Sequence, residues 1–241
     1  MLHGGGQSLK FKLVSYNLCP FVQQVFIALS LKGLDFDIEY IDLSNPPTWF
    51  TKVSPLKKVP VLFAGTNQVL FESIAIIEFI EDYAEQKTYP SDLFERSRDR
   101  AWIQFINQLM WSLYDLSVMG SEEEYGSTVG TLHKKLDELE AASHGGKYLF
   151  GDSFSLVEAA VAPLLLRLSY IDEIAPGLLD EVRHSNICRV NKQLMADANV
   201  QRSAHSDLKQ AYYKLLGKRQ AYLSTFLPEK FKSAESTPLR Y

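Results

Sequence analysis

The spacing of hydrophobic residues changes near residue 95, and this change limits the folds open to the chain. Up to about Lys87, runs of β-branched and aromatic residues alternate with helical spacing, which predicts strands and helices in turn. From Glu95 onward only helical spacing remains, as in the stripe Trp102, Phe105, Ile106, Leu109 and Leu113. A chain that runs from mixed α/β to all-α predicts two structural domains.

The first part has the predicted order βαβ, a loop-rich segment, then ββα, and its opening strand–helix–strand unit makes a parallel pair. This order favours a four-stranded mixed sheet with helices, a thioredoxin-like α/β domain over residues 10–87. An all-α helical domain is expected over residues 95–225, after the turn-rich stretch 88–94. Within it, helical spacing resumes at Ser155, near Leu178 and near Leu208.

Composition and charge exclude several classes of protein. A net charge of -4 without a basic stretch argues against nucleic-acid binding. Two cysteines are too few for a secreted disulfide framework and indicate a reducing, cytoplasmic compartment. The first residues lack the apolar core of a signal peptide and are expected to form a short disordered arm. The apolar run 159–166 is too short to span a bilayer, so no membrane partner is expected.

Cys19 is the first candidate for chemistry, because Cys19-Pro20-Phe21 lies at the predicted turn from the first strand into the first helix. Proline favours the first helical position, which puts Cys19 at or beside the N-cap. There the free N–H groups and the positive end of the helix dipole stabilise a thiolate. The alternative is a buried structural cysteine, the interpretation that Cys188 receives. Because Val22 occupies the second position of a dithiol motif, Cys19 has to take its resolving thiol from solution.

The segment SPLKKVP, residues 54–60, lies directly before a predicted strand. Proline at the first position of a strand in such a layer is a candidate for a cis peptide bond. A cis Val59-Pro60 bond would turn the backbone N–H and C=O of Val59 outward, toward an extended peptide ligand. The alternative is an ordinary loop before a strand.

Glu72-Ser73 precedes an isoleucine-rich helix. Ser73 is a natural N-cap, and the N–H groups of a helix N-terminus bind carboxylates. Glu72 could meet an ammonium group on the same ligand, although a plain helix cap explains the serine equally well. Taken together, Cys19, Val59 and Glu72-Ser73 match a ligand with a thiol, an extended peptide middle and an amino-acid end. Glutathione is such a ligand.

The chain resembles the cytosolic glutathione transferase superfamily over residues 10–225. The Cys-Pro-Phe turn, the Lys-Val-Pro turn and the Glu-Ser helix start occur in the order and spacing of that family. The stretch FGDSFSLVE, residues 150–158, is similar to the capping motif of its helical domain, with Ser155 as cap and Glu158 reaching back. Within the superfamily, Cys-Pro-Phe resembles the cysteine-type omega and lambda classes.

This resemblance implies the glutathione transferase fold and glutathione as co-substrate, with Cys19 as the catalytic thiol. It also implies that Phe21 lines the glutathione site and that Val59 pairs with the cysteinyl backbone. The remaining implied contacts are Lys58 with the glycyl carboxylate and Glu72 and Ser73 with the γ-glutamyl end. Omega members carry a lysine where this chain has Pro46, so the glycyl carboxylate depends on Lys57 or Lys58, of which Lys58 adjoins Val59.

The implied activity is glutathione-dependent thiol transfer to a small disulfide or electrophile, with dehydroascorbate reduction, in a homodimer. One alternative is a conjugating or dehalogenating transferase, with a second-substrate pocket drawn from Trp111, Tyr114, Met119 and Tyr170. Another is a non-enzymatic regulatory or channel-like protein of the same fold, although the acidic SEEEY segment, 121–125, is brief beside the insertion of the channel relatives. Neither a metal nor a nucleotide is expected, because His133 and His144 lack ligand spacing and no phosphate-binding glycine loop is present.

Overall fold

The computed structural model describes residues 9–232. The expected N-terminal arm, residues 1–8, lies outside the described residues, as do residues 233–241. The chain divides into two compact units, with the boundary between Lys87 and Thr88. The predicted fold class, a thioredoxin-like α/β part followed by a helical part, is confirmed by the elements described below.

The α/β unit contains a four-stranded mixed sheet in the order β2-β1-β3-β4. Its elements are β1 (Phe11–Ser15), α1 (Pro20–Leu31), β2 (Phe36–Tyr40), α2 (Phe50–Val53), β3 (Val61–Ala64), β4 (Gln68–Phe71) and α3 (Ser73–Tyr83). β1 pairs with β2 in parallel, as the strand–helix–strand opening predicts, and with β3 in antiparallel orientation. β3 pairs in turn with β4, also antiparallel.

The core of this unit lies against the two central strands, where Leu13, Val14, Val61 and Leu62 have no exposed surface. α1 packs on α3, and both helices contact the sheet. α1 ends as the sequence predicts, because Gly33 follows it with φ 63°, a left-handed conformation that glycine adopts without steric cost.

The helical unit contains α4 (Leu93–Leu116), α5 (Glu122–Ala142), α6 (Leu156–Ile174), α7 (Ser185–Met195), α8 (Ala198–Ser203) and α9 (Leu208–Arg219). Two short 3-10 helices follow, Tyr222–Phe226 and Glu229–Phe231. α4 packs against α5 and α6, and α7 packs against both of those helices. Between residues 95 and 232 there is no strand. None of the helices within 9–232 combines the length and the hydropathy that a bilayer crossing requires.

The helix starts of this unit are set by local sequence. Asp92 caps α4, and Ser121 with Glu124 forms a capping box on α5. The capping box predicted at Ser155 and Glu158 is confirmed at the start of α6. Burial raises the pKa of Glu158, and hydrogen bonds from Ser155 and from the Leu149 N–H oppose that shift.

The helix expected near Leu178 is absent, and that prediction was wrong. Residues 175–184 form a turn-rich connection, and the next helix begins at Ser185. The Asp172 carboxylate accepts hydrogen bonds from the backbone N–H groups of Gly177, Leu178 and Leu179. These N–H groups are therefore satisfied by a side chain rather than by a helix.

Candidate functional site

The register of the sheet brings the three predicted parts of the site to one end of the α/β unit. Val14 near the end of β1 pairs with Val61 at the start of β3, and Val61 pairs with Phe71 at the end of β4. The turn that leads to Cys19 comes shortly after Val14, Val59 lies two residues before Val61, and Glu72 directly follows Phe71. The segments that carry the predicted site residues therefore leave the sheet along one row.

Cys19 is the N-cap of α1, with φ -73° and ψ 116°, and Pro20 occupies the first helical position. Its N–H donates to the Tyr16 carbonyl at 2.9 Å, and its carbonyl accepts from the Gln23 N–H at 3.3 Å. The first turn of α1 contains no acidic residue, and the thiol makes no capping bond. The placement predicted from Cys19-Pro20 is confirmed, and no carboxylate competes with a thiolate in this first turn.

The Cys19 thiol lies beside the backbone of Val59. Cys19 Sγ is 3.7 Å from the Val59 carbonyl oxygen, a distance at which a thiol donates a weak hydrogen bond. The Val59-Pro60 peptide bond is cis, as the sequence predicts. The Cys19 side chain is partly exposed, whereas Val59 is buried. The thiol and the backbone segment predicted to meet a peptide ligand are therefore neighbours.

The bend from Ser54 to Lys58 sets the path of the chain into Val59. The Lys57 N–H donates to the Ser54 carbonyl at 3.0 Å, and Lys57 adopts the left-handed conformation with φ 53°. The Ser54 hydroxyl accepts from the Lys58 N–H at 3.0 Å and donates to the Lys58 carbonyl at 2.8 Å. Both candidate lysines, Lys57 and Lys58, are exposed residues.

The hydrogen bonds between Ser54 and Lys58 were not predicted from the sequence, in which Ser54 was only the first residue of the SPLKKVP segment. The available signal was the serine itself, because serine hydroxyls readily bond to backbone groups a few residues away. That signal predicts a local turn but does not tell which backbone groups the hydroxyl reaches.

The structure corrects the assignment of the α3 cap. Glu72, with φ 68° and ψ 118°, is the N-cap, and Ser73 is the first residue of the helix rather than the cap. Ser73 is buried, with 7% of its surface exposed, and its side chain forms no hydrogen bond within the described part of the chain. Glu72 is exposed. A carboxylate and a hydroxyl therefore flank the start of α3, next to the row that ends at Phe71.

Phe21 follows Pro20 in the first turn of α1, where it is partly exposed. In the helical unit, Trp111 is exposed and meets Tyr114 edge-to-face at 5.9 Å between ring centroids. Tyr170 belongs to an aromatic cluster with Tyr212 and Tyr213 of α9, and Met119 follows the end of α4. Within residues 9–232, no three His, Cys, Asp or Glu side chains are grouped so that they could hold a metal ion.

Cys188, the second cysteine, lies in the first turn of α7 with 9% of its surface exposed. Burial raises the pKa of the Cys188 thiol, and the carboxylates of Glu181 and Glu140 raise it further. It therefore stays a protonated thiol at neutral pH, as expected for a structural cysteine.

Two family models match the chain, one in each unit. Residues 18–83 match the glutathione S-transferase N-terminal domain, and residues 121–190 match the C-terminal domain. Glutathione S-transferase 1 of Dianthus caryophyllus is 31% identical over 173 residues, which span 66% of this chain and 78% of that protein. Glutathione S-transferase omega-1 of Mus musculus is 26% identical over 165 residues, 68% of this chain and 69% of that protein.

A solved structure with similar architecture is glutathione transferase Omega 3C from Trametes versicolor, with a TM-score of 0.74 and 25% identity. It covers 84% of this chain and 91% of the fungal protein. The fold, the two domain matches and these relatives define a transferase built from an α/β unit and a helical unit. The chain belongs to the glutathione S-transferase family, and its resemblance to cysteine-type, omega-like members is supported by these relatives.

Proposed function

We propose that this protein is a glutathione-dependent thiol transferase in which Cys19 is the nucleophile and glutathione the co-substrate. The observation that carries the proposal is the position of the Cys19 thiol, at the N-cap of α1 and 3.7 Å from the Val59 carbonyl. A thiolate there is stabilised by the N–H groups of the first helical turn. Membership of the family supports glutathione as the ligand.

Glutathione would lie along the row of residues at this end of the sheet. Its cysteinyl main chain would pair with the backbone of Val59, which places its sulfur beside Cys19. Its γ-glutamyl end would meet Glu72 and Ser73, where a carboxylate suits the ammonium group and the α3 N-terminus suits the carboxylate. The exposed Lys58 would reach the glycyl carboxylate, and Phe21 would line the site.

The proposed reaction has two thiol–disulfide exchange steps. In the first, the Cys19 thiolate attacks the glutathionyl sulfur of a mixed disulfide, the S–S bond breaks, and the substrate leaves as a thiolate that takes up a proton. In the second, a glutathione thiolate attacks the sulfur of the Cys19–glutathione disulfide. This step releases Cys19 as a thiolate and forms oxidised glutathione, one half of which came from the substrate. Each turnover therefore consumes one free glutathione and leaves the substrate as a free thiol.

The monothiol route is supported by what surrounds Cys19 in sequence. Val22 occupies the position of a second thiol and is buried, with 4% of its surface exposed. Cys188 is a poor resolving thiol, because burial raises its pKa. Glutathione from solution therefore has to complete the cycle. Reduction of dehydroascorbate through Cys19 would consume two glutathione molecules, which supply its two electrons and two protons and leave as oxidised glutathione.

The test compares Cys19→Ser with Cys188→Ser in transfer from a glutathionylated peptide, with aromatic conjugation and dehydroascorbate reduction assayed alongside. We expect Cys19→Ser to lose transfer and dehydroascorbate reduction while still binding glutathione, because a hydroxyl cannot enter disulfide exchange. Cys188→Ser should keep wild-type rates. Transfer by Cys19→Ser at the wild-type rate would refute the proposal, and conjugation without transfer in the wild type would favour the conjugating or dehalogenating alternative. Binding of glutathione with none of these activities would favour a regulatory role.

We also infer a cytoplasmic homodimer. Neither Cys19 nor Cys188 forms a disulfide, which is consistent with a reducing compartment. Leu93 and Phe94 at the start of α4 are 76% and 75% exposed, and adjacent exposed apolar side chains of this size are typical of an interaction surface. Sedimentation at micromolar concentration tests the association, and a single monomer boundary would refute the dimer.

A further inference from the structure

Ser54 is a buried serine between α2 and β3, with 2% of its surface exposed. We propose that Ser54 is a positioning residue, which fixes the Lys58–Val59 backbone. In this position the Val59 carbonyl can accept a hydrogen bond from the Cys19 thiol and, once glutathione is bound, from the main chain of the ligand. The inference rests on the proposed function for its second half, the contact with glutathione. Its first half concerns the free protein alone.

A single hydroxyl holds both polar backbone groups of Lys58. Ser54 Oγ accepts from the Lys58 N–H at 3.0 Å and donates to the Lys58 carbonyl at 2.8 Å. The bend that makes this geometry available needs Lys57 in the left-handed conformation, which residues other than glycine adopt only at a cost. The backbone of Ser54 anchors the bend, since its N–H donates to the Phe50 carbonyl and its C=O accepts from the Lys57 N–H.

The position of Lys58 determines the position of the next peptide group. Val59 follows immediately, and its carbonyl oxygen is the group that lies 3.7 Å from Cys19 Sγ. Because Ser54 and Val59 are both buried, water has little access to replace a missing hydroxyl there. Removal of the Ser54 hydroxyl therefore frees the Lys58 backbone and lets the Val59 carbonyl move away from the sulfur.

Two opposite effects follow for the site. A carbonyl that accepts a hydrogen bond from the thiol favours the protonated form of Cys19, so its release should favour the thiolate. The same release should weaken glutathione binding, because Val59 no longer presents a fixed backbone to the main chain of the ligand. A serine that merely stabilises the fold would change neither quantity in the folded protein.

The experiment compares Ser54→Ala with Thr51→Val, a matched loss of a hydroxyl three residues away. Thr51 is exposed, and within residues 9–232 its hydroxyl bonds only to the Thr48 carbonyl, at 3.0 Å. For Ser54→Ala we expect faster exchange of the Lys58 amide and about tenfold weaker binding of S-methylglutathione by calorimetry, the loss that corresponds to about one good hydrogen bond. We also expect the pH midpoint of Cys19 alkylation, mapped by mass spectrometry, to fall. Thr51→Val should leave all three unchanged.

A second pair of variants separates the hydroxyl from the fold. Ser54→Thr and Ser54→Val add nearly the same bulk, but only threonine keeps the hydroxyl, so Ser54→Thr should bind S-methylglutathione about tenfold more tightly than Ser54→Val. This pair decides the question if Ser54→Ala does not fold. Equal binding and equal alkylation profiles within either comparison would overturn the role of Ser54.

Failure of the proposed function gives a different pattern. If the wild-type protein does not bind S-methylglutathione, the proposed function fails, and Ser54 is still judged in the free protein by Lys58 exchange and by the Cys19 profile. If the wild type binds and Ser54→Ala binds equally well with an unchanged Cys19 profile, only the role of Ser54 fails.

Discussion

The two cysteines of this chain both lie at the beginning of a helix, yet their surroundings differ in what occupies the helix N-terminus. At α1, Cys19 is the N-cap, its side chain makes no capping hydrogen bond and the first turn has no acidic residue. At α7, the Glu140 carboxylate accepts from the Asn186 N–H and the Ile187 N–H, each at 2.9 Å. The positive end of α7 is therefore already matched by a negative charge before Cys188 is considered.

A position near the N-terminus of a helix therefore does not by itself make a thiol reactive. The pKa of Cys188 is raised first by burial and then by the nearby carboxylates Glu181 and Glu140. Cys19 is more exposed, and its thiol lies 3.7 Å from the neutral Val59 carbonyl. We therefore propose that Cys19, at a helix start without an acidic residue in its first turn, is the reactive thiol, and that Cys188, at a helix start capped by a carboxylate, is structural.

Removal of the carboxylate at α7 should produce the largest effect. Glu140→Ala leaves Asn186 and Ile187 without their acceptor and also removes the bond from the Asn186 side chain. Hydrogen bonds to a charged group contribute about 1.5–3 kcal/mol each and are not additive, so we expect the free energy of unfolding to fall by about 2–3 kcal/mol in urea titrations. Alkylation of Cys188 should become faster, since a nearby negative charge is lost.

The control for this prediction is Glu138→Ala, which removes an exposed carboxylate from the same helix. It should change the free energy of unfolding by no more than about 0.5 kcal/mol. Equal destabilisation by the two variants would mean that Glu140 does not cap α7 in solution.

Acid should weaken the α7 end in a way that depends on His184, the N-cap residue of α7. His184 is fully buried, its Nε2 contacts Asp137 at 3.2 Å, and its Nδ1 has no hydrogen-bond partner in the described structure. Burial lowers the pKa of His184, Asp137 opposes this shift, and Arg183 and His133 add to it. Because Arg183 lowers the pKa of Asp137, that carboxylate stays charged while histidine titrates.

The sign of the pH dependence follows from these shifts. The unfolded chain protonates His184 at about pH 6.5, whereas the folded protein resists protonation until lower pH. The contribution to stability is therefore complete above that pH and falls as the pH drops below it. Urea titrations from neutral to mildly acidic pH should show a steeper loss for the wild type than for His184→Asn. Identical slopes for the two proteins would contradict the burial of a neutral His184.

A new charge beside Cys19 should give the smallest effect. Asn17 is exposed and lies just before α1, so Asn17→Asp places a carboxylate near the N-terminus of that helix. A charge near a helix terminus is worth about 0.3–1 kcal/mol, which shifts the pH midpoint of Cys19 alkylation upward by about 0.2–0.7 units. Asn67→Asp, in the exposed turn between β3 and β4, adds the same charge elsewhere in the unit and should leave the midpoint in place.

Much of the fold could be predicted because local signals agree with the tertiary structure. The alternation of strands and helices up to Lys87, the glycine after α1 and the capping box at Ser155 are all encoded by neighbouring residues. The failed helix near Leu178 has a non-local cause, since Asp172 binds three N–H groups five to seven residues later. Hydrophobic spacing alone does not reveal such a contact.

The positions of several site residues could be predicted from the sequence, but the contacts between those residues could not. Cys19 at the start of α1 and the cis bond at Val59-Pro60 follow from proline positions. The contact between Cys19 and Val59 depends on strand register. Glu72 rather than Ser73 is the N-cap of α3 because Glu72 adopts a positive φ, which glutamate rarely does. The hydrogen bonds between Ser54 and the Lys58 backbone depend on the left-handed conformation of Lys57, for which the sequence carries no signal.

The most direct test of the central claim is the reaction of the folded wild-type protein with oxidised glutathione across a pH series, with each cysteine followed by mass spectrometry of its peptide. We predict a glutathione adduct on Cys19 that forms well below about pH 8.5, the ordinary pKa of a thiol, and that persists because Val22 offers no second thiol. Cys188 should remain unmodified under the same conditions. An adduct that forms first on Cys188, or equally on both cysteines, would contradict the claim that the N-terminus of α1 makes Cys19 the reactive thiol.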